Sequence, residues 1–136
     1  MSVVRTVFIA TTMTLLSGCA NHEMVKNADM DAGHEHSFAA SYEKTRLAAL
    51  EGLRLLNITP SQIEEVPEGT AIYLSRPTRL TSWGEVGRVL VVKSDAPPTK
   101  VRALYERRFG AAMGAESTFS RNLFARMDAM LADAAP

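Results

Sequence analysis

The chain has 136 residues, 46% of them hydrophobic, which suits one domain with its own core and leaves no need for covalent staples. Fifteen basic residues balance fifteen acidic ones, so the sustained Lys/Arg excess of a nucleic-acid or polybasic lipid-binding surface is missing. With a single cysteine, Cys19, an internal disulfide is excluded and the meaning of the thiol rests on its surroundings.

The N-terminus reads MSVVRTVFIATTMTLLSGCA. One charge, Arg5, precedes an uncharged and largely apolar run of eleven residues from Thr6 to Leu16. That run is too short to cross ~30 Å of hydrocarbon, which takes about 20 helical residues, but it has the length of a signal-peptide core. Leu16-Ser17-Gly18 then leads directly into Cys19. This combination resembles the lipobox of bacterial lipoproteins. The resemblance implies that diacylglycerol is attached to the Cys19 sulfur, that residues 1–18 are removed and that the new amino group is acylated, as with palmitate. The small residues before Cys19 suit an extended backbone entering a protease cleft. Each buried methylene contributes ~0.8 kcal/mol and two acyl chains already hold a protein firmly, so the implied protein is anchored to a membrane without spanning it. Ala20, where many inner-membrane lipoproteins carry Asp, implies the outer membrane and its periplasmic face. Loss of residues 1–18 removes only Arg5, leaving a net side-chain charge near −1.

From Ala20 to Phe38, ANHEMVKNADMDAGHEHSF, the chain is polar and shows neither apolar period. The expectation is a lipidated cysteine and flexible tether over 19–38, with a mean reach of about 25 Å and a stretched limit of about 65 Å. All three histidines, His22, His34 and His36, fall in this stretch, near Met30, Asp31 and Glu35. Imidazole and carboxylate are ligands for Zn²⁺, Cu²⁺ or Ni²⁺, so His34 and His36 are weak candidates for metal capture. The more ordinary reading is a solvated spacer, with no cofactor.

Residues 39–136 read as a single domain. From Ser41 to Leu56, apolar residues at Tyr42, Ala49, Leu50, Leu53 and Leu56 recur at helical spacing, with Ser41 as N-cap. Pro60 stops that helix. SQIEEVPEGTAIYLSRP reads as two strands around the turn Val66-Pro67-Glu68-Gly69, where Gly allows a positive backbone angle. Ile72 and Leu74 share one face, opposite Ala71 and Tyr73. The run Val89-Leu90-Val91-Val92 is the candidate central strand. TKVRALYERRFG fits either period; its basic outer residues favour a strand, placed at a protected sheet edge. Ser117 to Ala134 is an amphipathic helix with Phe119, Leu123, Phe124, Met127, Met130 and Leu131 along one stripe. The expected fold is α+β: a small antiparallel sheet of three to four strands with an N-terminal and a C-terminal helix packed on one face. In that outline the mature part loosely resembles small proteobacterial lipoprotein domains of unknown function, a resemblance that brings no functional residues.

After Phe38 there is no histidine and no cysteine, which removes Ser-His-Asp and Cys-His pairs and histidine bases from the folded part. Ser41-Tyr42-Glu43-Lys44 matches S-x-x-K, but the S-D-N and K-T-G companions of that chemistry are absent, and a helix cap explains it better. Glu64 and Glu65 are neighbours on a strand and point to opposite faces. No glycine-rich phosphate loop occurs. Arg76, Arg79, Arg88, Lys93, Lys100, Arg102, Arg107 and Arg108 form a basic stripe suited to an acidic protein or an anionic glycan. Trp83, beside Ser82 and Gly84, is the candidate interface anchor, with Arg107 and Arg108 as further partner-binding candidates. The expected function is a non-catalytic, lipid-anchored periplasmic module that binds or supports another envelope component. The alternative is metal capture by the His/Met/acid-rich tether.

Overall fold

The computed structural model describes residues 20–76, 84–107 and 115–134. Their elements are α1 (Ala20–Asn27), β1 (His34–Phe38), α2 (Tyr42–Leu55), β2 (Pro60–Val66), β3 (Gly69–Arg76), β4 (Glu85–Val92), β5 (Thr99–Arg107) and α3 (Ala115–Asp133). The five strands form one antiparallel sheet in the order β1-β5-β4-β3-β2. The α+β class and the antiparallel sheet agree with the sequence; the strand number does not, since a fifth strand comes from the stretch expected to be tether.

One face of the sheet carries the main core. Ile72 and Leu74 of β3, Val89 and Val91 of β4, and Val101, Ala103 and Tyr105 of β5 meet Leu53 of α2 and Phe119, Leu123 and Met127 of α3. Period-two alternation on the strands and helical spacing on α2 and α3 put these side chains in one layer. Ser41 caps α2, accepting a hydrogen bond from the backbone N–H of Lys44, as the sequence predicts. Gly52 lies where α2 crosses α3: a Cβ there would stand 3.0 Å from a Leu123 methyl, so the bare Cα is what allows the close approach. At the hairpin, Gly69 adopts φ +148° and a Cβ would fall 2.0 Å from the Val91 carbonyl oxygen. Only glycine fits that position.

The opposite face has a second, smaller core. Ala71, Tyr73, Val86, Leu90 and Leu104 pack against Val25 of α1, with Ala28, Met30 and Ala32 alongside. Residues 20–38 are therefore built into the domain, against the expectation of a flexible tether. The physical reason is that hydropathy gives little notice of either element. Val25 is buried while the side chains of Glu23, Met24 and Asn27 are exposed, and in β1 only the final residue, Phe38, is buried.

β5 is a strand, but not an edge. It lies between β4 and β1, and its outward cations Lys100 and Arg102 meet Glu35 of β1 at 2.9 and 2.7 Å. What looked like charge protecting an edge is charge pairing a neighbour. The edges are β1 and β2. β2 carries Glu64 and Glu65 and a register irregularity between Pro60 and Gln62, devices that discourage another strand from adding.

Candidate functional site

The attachment residue suggested by the sequence, Cys19, lies outside the described residues, but α1 begins at the next residue, Ala20. What fixes α1 is Arg88, at the centre of β4 and 1% exposed. Its guanidinium donates to the carbonyls of Val25 (3.2 Å), Ala28 (2.9 Å) and Asp29 (2.5 Å). The last carbonyls of a helix have no partner within it and carry its negative dipole end, so a buried cation there is hydrogen-bonded and its charge partly offset. Burial pulls the Arg88 pKa below its ordinary value, and Tyr73, Asp29 and Glu68 partly oppose this; arginine remains charged at neutral pH in any case. Lys26 adds its ammonium 5.4 Å from the Tyr73 ring centre. The loop beyond is held by Arg102, which donates to the Met30 carbonyl and pairs with Asp31 at 3.0 Å.

Arg88 and Val25 were not singled out from the sequence as a contact. A signal for Arg88 was present: GEVGRVLVV places one charge inside an apolar strand, and such a charge requires a built partner. Nothing local identifies that partner, which is 63 residues away for Val25.

Of the proposed partner-binding residues, Trp83 and Arg108 lie outside the described residues, as does Arg79. Arg107 ends β5, where its Cα partner is Glu85, and Glu85 in turn pairs with Arg76 of β3. The strand ends from which the Trp83 and Arg108 segments depart are thus neighbours at one end of the sheet. Glu85 is engaged there, accepting from the Tyr105 hydroxyl and lying 3.5 Å from Arg76. Tyr105 stacks on Phe119 with ring centres 4.4 Å apart.

Several members of the basic stripe are taken up by the fold. Arg88 is inside, Arg102 and Lys100 are paired with Glu35, and Arg76 with Glu85. Four of its eight members are thus buried or paired within the fold and do not form a row of free cations. The two partners of Glu35, Lys100 ahead of Arg102, hold its carboxyl below the usual carboxylate range.

His34 and His36 share with Phe38 the face of β1 on the α3 side of the sheet, but they are used differently. His34 is exposed, whereas His36 stacks on Phe124 (5.3 Å between ring centres), meets Phe38 edge-on (4.7 Å) and lies 3.3 Å from Asp128 of α3. Glu35 and Asp31, the nearest carboxylates in sequence, are turned to Lys100 and Arg102. Among the described residues no group of three or more His, Cys, Asp or Glu side chains is placed to hold a metal ion.

Glu64 and Glu65 do face opposite ways. Glu65 accepts from Thr70 at 2.8 Å on the α2 side, where the Tyr42 hydroxyl joins the pair, while Glu64 sits opposite Ala71 on the other face. No helix among the described residues is long and apolar enough to cross a membrane. Compared with known protein families and with curated proteins, the chain matches no family model and no curated sequence.

Proposed function

We propose that this protein is a non-catalytic lipoprotein of the bacterial outer membrane, anchored by acyl chains on Cys19 with its domain in the periplasm, where it binds or supports another envelope component. The observation that carries the reading is Leu16-Ser17-Gly18-Cys19 at the end of an eleven-residue uncharged run that follows a lone arginine. Support for a binding rather than a catalytic role is the sequence after Phe38, which holds no histidine and no cysteine. Radiolabelled palmitate fed to expressing cells is expected on the wild-type chain and not on Cys19→Ala, which stays uncut. An unlabelled wild-type chain refutes the anchor.

The partner surface of this reading is the sheet end at Arg76, Glu85 and Arg107, from which the Trp83 and Arg108 segments depart. The partner is an envelope protein rather than an anionic glycan, because so many of the strand cations are already paired. Crosslinking in cells followed by mass spectrometry identifies it.

A further inference from the structure

We propose that the outer face of α2 is a dimerisation surface whose partner is a second copy of this chain, docked antiparallel about a two-fold axis level with the peptide between Ala48 and Ala49. The inference goes beyond the function proposed above and stands whether or not Cys19 is acylated. At about 100° per residue, Glu43, Arg46, Leu47, Leu50, Glu51 and Arg54 fall on one face of α2, roughly 140° wide. The buried residues Thr45, Ala48, Ala49, Gly52 and Leu53 occupy the other side. Leu47 stands 59% exposed amid these charges, and Leu50 is half-buried against the main core. An exposed leucine by itself carries no argument. The order of the charges around it does.

The stretch reads E-x-x-R-L-x-x-L-E-x-x-R, and turning it end for end exchanges glutamate for arginine at every charged position and leucine for leucine. An antiparallel copy in this register sets Leu47 level with the partner's Leu50 and Glu43 level with the partner's Arg54, each twice by symmetry. Glu43, Leu47, Leu50 and Arg54 follow the four-three-four spacing of a helix seam. Within one chain, both Arg46 bonds converge on Oε2 of Glu43, at 3.2 and 3.1 Å, while Nε and Nη2 of Arg54 fork on Glu51 at 2.8 and 2.6 Å. Oε1 of Glu43 and Nη1 of Arg54 are then the groups offered across the seam. The result is an alternating chain of charge: Arg46, Glu43, the partner's Arg54 and the partner's Glu51. Arg46 and Glu51 flank the seam on opposite sides, where each meets its own twin only at about 7.5 Å along the axis. A parallel pair would set Glu43 beside Glu43, and sliding the antiparallel pair by one heptad would set a leucine against Glu43 or Arg54. On the β2 side the stripe borders a groove whose apolar lining is Leu50, Ile58, Pro60 and Ile63, the last 51% exposed, which widens the surface the copy covers. A single helix pair falls below the roughly 1,200–2,000 Å² of stable complexes, so the association is weak and is best read by trapping it.

In this register the two copies of Leu47 lie about 4.5 Å apart along the axis on one flank, within disulfide reach, so Leu47→Cys reports the dimer. The full chain carrying Leu47→Cys is expressed in cells and treated with copper phenanthroline, and its adducts are weighed by mass spectrometry. Cys19 is common to every variant, so wild type gives the background. The two-chain adduct is expected at least about fivefold above wild type and above Glu64→Cys, which sits on the other face of the sheet. Adding Glu43→Arg, or Arg54→Glu, sets like charges across the seam and is expected to cut the yield at least about fivefold. Expressing those two variants together is expected to restore it, because every seam contact then joins opposite signs; a variant that had merely unfolded would not be rescued. An absent two-chain adduct, an adduct of any other mass, a yield indifferent to charge reversal, or a loss that co-expression fails to repair overturns the proposal.

Discussion

Arg88→Met removes the grip on α1 while keeping an apolar stem of similar length in the sheet. The wild-type guanidinium makes three hydrogen bonds to carbonyls. Bonds to a charged group contribute ~1.5–3 kcal/mol each in net terms, but burying the cation costs several kcal/mol, so the three do not simply add. In the variant, the carbonyls of Val25 and Ala28 lose this side-chain donor, at ~1–3 kcal/mol per unsatisfied group, while that of Asp29 still accepts from the Ala32 N–H at 3.0 Å. The chain has an escape: α1 can leave the sheet and rehydrate those carbonyls, giving up the burial of Val25. That route caps the loss, and the expected destabilisation is about 2–4 kcal/mol. Arg88→Lys keeps the charge but not the fork and should fall between the two. Urea unfolding gives the total, and hydrogen exchange of residues 20–31 against 86–91 says where it falls. α1 amides are expected to exchange through local opening in the variant while β4 stays protected. If Arg88→Met unfolds within 0.5 kcal/mol of wild type, or is more stable, and α1 remains protected, the capping argument is wrong.

At the hairpin, Gly69→Ala sets a methyl 2.0 Å from the Val91 carbonyl oxygen at a positive φ, and urea unfolding should show a loss of at least about 2 kcal/mol; a loss under 0.5 kcal/mol contradicts that geometry. Lys100 and Arg102 hold the Glu35 carboxyl below its ordinary range. A depressed folded-state pKa contributes stability that is present above the unfolded value of ~4.3 and lost as pH falls through the folded one. Glu35→Gln should therefore flatten the acid side of the stability profile below about pH 4.3 and leave its neutral-to-basic shape alone, and an unchanged acid limb argues against the ion pairs. Trp83→Ala, or reversal of Arg107 and Arg108 to glutamate, should abolish partner co-purification without altering the circular dichroism spectrum; retention of every partner removes that end of the sheet as the interface. Zn²⁺ and Cu²⁺ calorimetry should give no site that His34→Ala with His36→Ala removes, whereas a submicromolar stoichiometric site lost in that double variant restores metal capture.

The helix from Ser41, the hairpin at Pro67-Gly69, the apolar centre of β4 and the closing helix were all legible in the sequence, because each is written in local terms. Spacing sets the face, a cap or a proline sets the end, and a glycine sets the turn. Ser41 and Gly69 show how little context such signals require. The candidate anchor Cys19 was legible for the same reason, being a short linear pattern that a processing enzyme would read in an extended chain.

The fate of residues 20–38 was decided by tertiary structure alone. HEHSF becomes a strand because β5 offers it a ladder, two cations for Glu35 and a place in the core for Phe38. ANHEMVKN becomes a docked helix because Val25 enters the second core and a buried arginine 59 to 63 residues away takes the carbonyls of Val25, Ala28 and Asp29. Local composition made both segments look solvated, since each buries little of itself. Burial and charge pairing across such sequence distances are properties of the assembled sheet, so they turned an apparent tether into packed elements of the domain and took up four cations of the basic stripe.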